Sequence, residues 1–143
     1  MVTIHAARLD DLSPRVLHDL LRLRVDVFVV EQQCAYPEID GRDTETGTVH
    51  LWTEVDGEVA ATVRILVDHD GTRHLGRVAT HRDHRGAGYA AALVREGLSR
   101  LGPGPVHIGA QAHLEQWYAR LGFRRSGPDY LEDGIPHLPM VRD

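Results

Sequence analysis

The chain has 143 residues, a hydrophobic fraction of 42% that supplies a core, a formal net charge of -5 and one cysteine. That length fits one domain, residues 1–143, burying roughly 68–70% of its unfolded surface, and the acidic balance argues against nonspecific nucleic-acid binding, which needs a basic surface to displace counterions. A lone cysteine excludes an internal disulfide framework and a cysteine-rich zinc site, so Cys34 reads as a small, partly buried hydrophobe.

The opening MVTIHAARLDDL shows no basic start followed by a long apolar run, and VFVV and ILV are too short to span a bilayer. The expectation is a soluble cytoplasmic protein with no membrane partner. VTIHAAR alternates as an opening strand, and Ser13-Pro14 reads as the cap and first-turn proline of a helix running from about Ser13 toward Glu31, with Leu17, Leu20, Leu21 and Phe28 at helical spacing. Gln32 to Gly47 is a loop with room for a short helical turn. VHLWTEV, Asp56-Gly57 and EVAATVRILVD make a hairpin, because Asp-Gly supplies the positive backbone angles of a tight turn. The turn HDGT then leads into RHLGRVAT and completes a three-stranded meander. A helix follows with Leu93, Val94, Leu98 and Leu101 as its apolar stripe, stopped at Gly102-Pro103-Gly104. VHIGA is a short buried strand, AHLEQWYARL a helix ended by Gly122, and FRRSG and PHLPMVRD two paired strands joined through YLEDGIP. The order predicts a mixed α/β sheet with helices on both faces.

Charge is distributed unevenly along this plan. Arg73, Arg77, Arg82 and Arg85 face only Asp83 in one stretch, whereas Asp26, Glu31, Glu38, Asp40, Asp43 and Glu45 face only Arg42 in another. One island suits an anion and the other a cation, although solvated loops are the plainer reading of both. All 16 basic side chains are arginine, so the protein has no lysine of its own to modify.

The stretch RGAGYA, Arg85 to Ala90, places glycine where a helix begins. Glycine there costs conformational entropy that a capping Ser or Asp would not. A helix start carries unpaired N–H groups and about +0.5 of partial charge, and missing side chains let a phosphate reach them. No Gly-Lys-Ser/Thr follows, and the preceding strand belongs to an antiparallel meander, so neither a nucleotide P-loop nor a Rossmann fingerprint is present.

Arg85-Gly86-Ala87-Gly88-Tyr89-Ala90 resembles the Arg/Gln-x-x-Gly-x-Gly/Ala signature of the GNAT superfamily of N-acetyltransferases. GRVAT, AQAHLEQWYARLGF, LRVDVFVVEQ with DGRD, and YLEDGIPHLPM extend the likeness over nearly the whole chain, most closely to its ElaA-type branch. The resemblance implies a mainly antiparallel sheet of about six to seven strands, splayed between the fourth and fifth. It also implies acetyl-coenzyme A as cosubstrate. Val78, Ala79 and Thr80 would meet the pantetheine arm, and Arg85, Gly86, Ala87, Gly88, Tyr89 and Ala90 the pyrophosphate.

Acetyl transfer to an amine needs a neutral nucleophile, a stabilised oxyanion and a proton for the leaving thiolate. Tyr118 matches the superfamily tyrosine near the sulfur, and a phenol of pKa ~10 can protonate a thiolate of pKa ~8.5. Trp117 beside it is expected to pack, and a backbone N–H near Ala79 or Thr80 to face the oxyanion. Glu31 and His137 are both candidates for the acceptor side, and the sequence assigns neither as base. His113 borders the donor or the acceptor. His81 and His84 lack the carboxylate partners of a metal site, and no metal is expected. The acids from Glu31 to Glu45, with Glu132 and Asp133, should border the acceptor entrance and favour a cationic amine. A homodimer is compatible with the sequence. A non-catalytic acyl-coenzyme A binding or sensing module is the alternative, and a purely structural protein with an incidental glycine turn is a third reading.

Overall fold

A computed structural model describes residues 2–143. After β1 (His5–Ala7), helix α1 (Pro14–Val25) starts where Ser13 Oγ accepts the Val16 N–H at 3.2 Å. The expected run toward Glu31 is present in two forms, because Asp26–Glu31 continues α1 as a wider π-helical turn. Cys34 N–H closes that segment on the Val29 carbonyl at 3.0 Å. Such π turns are uncommon and often sit at functional sites.

The meander consists of β2 (Val49–Val55), β3 (Glu58–Val67) and β4 (Arg73–Thr80). Asp56 and Gly57 both have positive φ at the first turn, as the Asp-Gly pair requires. Helix α2 (Tyr89–Leu101), β5 (Val106–Gln111), a short α3 (Glu115–Ala119), β6 (Arg124–Arg125), β7 (Tyr130–Glu132) and β8 (Ile135–Arg142) follow. Among the described residues, the sheet runs β1-β2-β3-β4-β5-β8-β6, with β7 paired to β8, and only β4 and β5 are parallel. Among the described residues, eight strands therefore stand where six to seven were expected. The added one lies inside YLEDGIP, where Asp133 and Gly134 take positive φ and fold the connector into a hairpin.

Helices cover both faces. On one, Leu20 and Leu23 of α1 pack with Trp52, Val59 and Ala79. On the other, Leu93 and Val94 of α2 and Tyr118 of α3 meet Leu51, Val63, Ile65 and Ile108. Eight consecutive residues of β3 are buried because the strand is covered from both sides. Gly97 lets α2 sit close to the sheet, since a Cβ there would lie 3.2 Å from Leu75 Cδ1 and 3.3 Å from Ile65 Cγ2. Among the described residues, no helix is long and apolar enough to cross a membrane.

The acidic island is neither solvated nor open to a cation at its centre. Glu38 and Asp43 are only 3% and 5% exposed, and Arg24 on α1 is 1% exposed between them. Arg24 Nε donates to Glu38 Oε2 and Arg24 Nη1 to Asp43 Oδ1, both at 2.7 Å. Arg64 on β3 reaches Asp40 Oδ2 at 2.9 Å and Asp43 Oδ1 at 3.1 Å, while Arg77 on β4 reaches Glu38 Oε2 at 2.8 Å. Three guanidinium groups thus meet three carboxylates. Burial opposes ionisation of Asp40, but hydrogen bonds from Arg64 and the Arg42 N–H bring its pKa down to about 2. His50, 3.7 Å from Asp43, has its pKa lowered by burial and stays neutral. The sequence shows the acids clustered together, but their arginine partners lie on separate strands and a helix, which the fold alone brings in.

Removing one member of a buried ion group strands the others, typically at a cost of about 3–5 kcal/mol. Glu38→Gln leaves Arg24 and Arg77 short of charge, and urea unfolding is expected to show a loss in that range. A loss below about 1 kcal/mol, the value of an exposed pair, would contradict the buried network.

Candidate active site

Strands β4 and β5 pair at one register position, His74 with His107, near the start of each. Beyond it they separate and leave a cleft of about 990 Å³, lined by Leu75, Gly76, Val78 and Thr80 on one edge and Ile108, Gly109 and Gln111 on the other. A bulge re-aims the first edge. Arg64 faces Gly76 and Thr62 faces Ala79, so Arg77 and Val78 together oppose the single Val63. Arg77 takes φ 49°, a conformation that is costly for a side-chain-bearing residue, and its guanidinium is held by Glu38. The buried ion group therefore fixes the bend in the strand bordering the cleft.

The bulge also decides which backbone groups face the gap. His81 N–H bonds back to the Ala60 carbonyl at 2.8 Å, so Ala79, two residues earlier, turns its N–H toward β3. Thr80, and Val78 before it, turn theirs toward the cleft. Ala79 is buried at 2% exposure and does not line the cleft, nor does Ala87. The remaining residues singled out from the sequence do line it: Glu31, Val78, Thr80, Arg85, Gly86, Gly88, Tyr89, Ala90, His113, Tyr118 and His137.

At the start of α2, Gly86 and Gly88 have φ 84° and 82°, and a Cβ at either would meet nothing within 4 Å. Gly88 is the N-cap and supplies no side-chain hydrogen bond, so the first N–H groups of the helix stay unpaired at open space. The fit to an approaching anion is direct. The Arg85 side chain is already committed. Its Nη1 and Nη2 donate to the two Glu31 oxygens at 2.8 and 2.6 Å, and its Nε to the Thr80 carbonyl at 3.1 Å. These bonds hold the Glu31 carboxyl below its ordinary range, which makes it a poor proton acceptor.

Tyr118 is 7% exposed, edge-on to Trp117 and Phe123, and burial pushes its phenol well above the ordinary value. The phenol therefore stays protonated at neutral pH. Trp117 packs beside it, as expected. Glu31 and Gln32 straddle the gap: Glu31 ties to the α2 side, while Gln32 and Gln111 exchange amide hydrogen bonds at 3.2 and 3.4 Å on the β5 side. Cys34 Sγ donates to the Asp133 carbonyl at 3.4 Å and joins the acidic loop to the last hairpin. Sequence reading misses the parts played by Arg77 and the Gln32–Gln111 pair. Nothing in GRVAT marks the bulge, because a positive φ at arginine has no sequence signature.

A splayed parallel pair with a glycine cradle at the following helix is the arrangement that the resemblance to N-acetyltransferases implies. Residues 16–143 match the acetyltransferase (GNAT) domain family. The chain is 49% identical over 136 residues to a UPF0039 protein of Mycobacterium tuberculosis, covering 92% of this chain and 87% of that one. It is 38% identical over 139 residues to protein ElaA of Escherichia coli, covering 93% and 91%, and the ElaA crystal structure superposes with a TM-score of 0.93 over the whole of both chains. An acyl-CoA N-acyltransferase of Pseudomonas aeruginosa superposes with a TM-score of 0.91 at 40% identity, again over both whole chains. The protein belongs to the GNAT acyltransferase family, in the group that contains ElaA.

The bulge makes a specific energetic prediction. Arg77→Gly and Arg77→Ala both lose the ion pair, but glycine alone is free of the left-handed penalty of about 1–2 kcal/mol. The glycine variant is expected to be the more stable by that amount in chemical unfolding. Alanine as stable as glycine would mean that residue 77 is not held at positive φ.

Proposed function

We propose that the protein transfers the acetyl group of acetyl-coenzyme A to a primary amine of a cationic acceptor, by direct attack in a ternary complex. The observation that carries this reading is the convergence of the open α2 cradle, the free backbone edge at Val78 and Thr80, and the Tyr118 phenol on one cleft. The P. aeruginosa relative, described as an acyl-CoA N-acyltransferase, supports the donor class.

In this reading the N–H groups at Gly88, Tyr89 and Ala90 hold the pyrophosphate, and Val78 and Thr80 hydrogen-bond the pantetheine amides. The Thr80 N–H faces the developing oxyanion. Tyr118, kept protonated by burial, gives its proton to the departing sulfur. Electrostatics on the acceptor side rest on fewer groups than the sequence suggests. Asp40 and Glu31 line the cleft but are paired with Arg64, Arg77 and Arg85, which leaves Glu132 at the end of β7 and Asp133 in the turn after it to attract an ammonium group.

Incubation with acetyl-coenzyme A and a panel of alkylamines, diamines and peptide amines, read by thiol release, tests the reading. Thiol release that depends on a cationic amine supports it. Coenzyme A binding without release would make the protein a sensing module, and no binding would end both. Gly88→Glu is expected to abolish coenzyme A binding in calorimetry while the chain still folds, because a carboxylate would occupy the cradle. The positive φ adds a stability loss of about 1–2 kcal/mol. Tyr118→Phe is expected to lower turnover by ~10²-fold at unchanged donor affinity. Unaltered turnover with chemistry rate-limiting would remove Tyr118 from the mechanism.

A further inference from the structure

We infer that His137 is the general base that deprotonates the acceptor amine, with its lone pair placed by a fixed tautomer and Glu132 beside the nitrogen that takes the proton. The inference rests on the acyl-transfer reading above and supplies the base that the sequence leaves open between two residues.

Three observations carry it. First, the alternative is spent, because both Glu31 oxygens accept from Arg85. Second, His137 Nδ1 lies 2.7 Å from the Ile135 carbonyl oxygen. A carbonyl only accepts, so the proton sits on Nδ1, and Nε2 of the neutral ring carries the lone pair. Third, Nε2 lies 3.5 Å from Glu132 Oε2, so a proton arriving on Nε2 finds a carboxylate beside it. The imidazolium then has a partner at each nitrogen. This is the arrangement of a histidine base oriented on one side and flanked by a carboxylate on the other.

The ring is also held in place. It stacks on Tyr130 with centroids 5.7 Å apart, and at 8% exposure it lines the same cleft as Tyr118. The groups around it come from three elements: Glu132 and Tyr130 on β7, Gln111 opposite it on β5, and His113 just beyond β5. Among these, Glu132 is the one carboxylate, and Gln111 is neutral.

The proton balance closes with these two side chains. The ammonium gives one proton to His137 Nε2, and the freed lone pair forms the C–N bond at the acyl carbon. As the C–S bond breaks, the sulfur takes the Tyr118 proton. The second amine proton then restores the Tyr118 phenol, and His137 releases its proton to solvent, the single proton the reaction yields.

The test compares two amines with wild type and His137→Gln, whose folding and coenzyme A affinity are checked by thermal unfolding and calorimetry. A butanediamine is almost wholly protonated at neutral pH, whereas methoxyamine is already neutral there. With the diamine, the variant is expected to lose on the order of 10²-fold or more in kcat/KM. That loss should shrink as pH rises and more of the amine is neutral, and it should be less than about threefold with methoxyamine at any pH, since no first proton has to be removed. An equal loss with both amines, or none with the diamine, overturns the base assignment and leaves acetyl transfer standing. Wild type inactive toward both amines would overturn the transfer reading and the base with it. Independently of turnover, nitrogen NMR of the His137 ring is expected to show the Nδ1-protonated tautomer, and the Nε2-protonated form would refute the placement of the lone pair.

Discussion

The arrangement of the cleft depends on a group of charges centred on the buried Arg24, Glu38, Asp43 and Arg64, with Arg77 and Asp40 at its partly exposed edge. Arg24, Arg64 and Arg77 come from a helix and two strands, and Glu38, Asp40 and Asp43 from the loop between α1 and β2. Taking so many charges out of water is expensive, and apolar residues of similar volume often stabilise such a site as well or better. What the ion group supplies is position. It pins a loop of irregular backbone to three elements at once, and through Arg77 it holds β4 in its bulge. Without that bend β4 would continue as a regular partner of β3, and its outer edge would present different backbone groups to the gap.

From that bend the division of the cleft follows. On one side the edge of β4 leads to the glycine turn and the unpaired N–H groups of α2. On the other, the last hairpin brings Tyr130, Glu132 and His137 over the end of β5. The π-helical end of α1 stands between them. Its wider turn delivers Glu31 toward Arg85 and Gln32 toward Gln111, so two neighbouring side chains brace both walls of an open sheet. Arginine suits the first of these contacts because its planar fork can bind a carboxylate with two nitrogens while a third reaches the Thr80 carbonyl.

Much of this architecture is legible in the sequence, and for identifiable reasons. Turns built on Asp-Gly, the Ser13-Pro14 cap and the apolar stripes of α1 and α2 are local signals, readable from neighbouring residues. The glycines of RGAGYA are legible too, because a helix that begins on glycine gives up a capping side chain and leaves its first N–H groups open to an anion. What stays hidden is long-range. The acidic loop looks like a charged surface, since nothing near it in sequence reveals that Arg24, Arg64 and Arg77 converge on it. The hairpin inside YLEDGIP reads as a plain connector because the strand before its turn, β7, has only three residues, although Asp133-Gly134 carries the same turn signal as Asp56-Gly57. Ala79 and Val78 are adjacent in sequence, and only the register of β4 against β3 shows which one turns toward the gap.

Hydrogen–deuterium exchange with and without coenzyme A tests most directly whether the bent edge of β4 and the α2 cradle form the donor site. Slower exchange is predicted at Val78, Thr80 and the amides from Gly86 to Ala90, with little change at Ala79, whose N–H is already bonded to β3. Protection confined to other parts of the chain, or none along β4, would contradict a donor site at this edge.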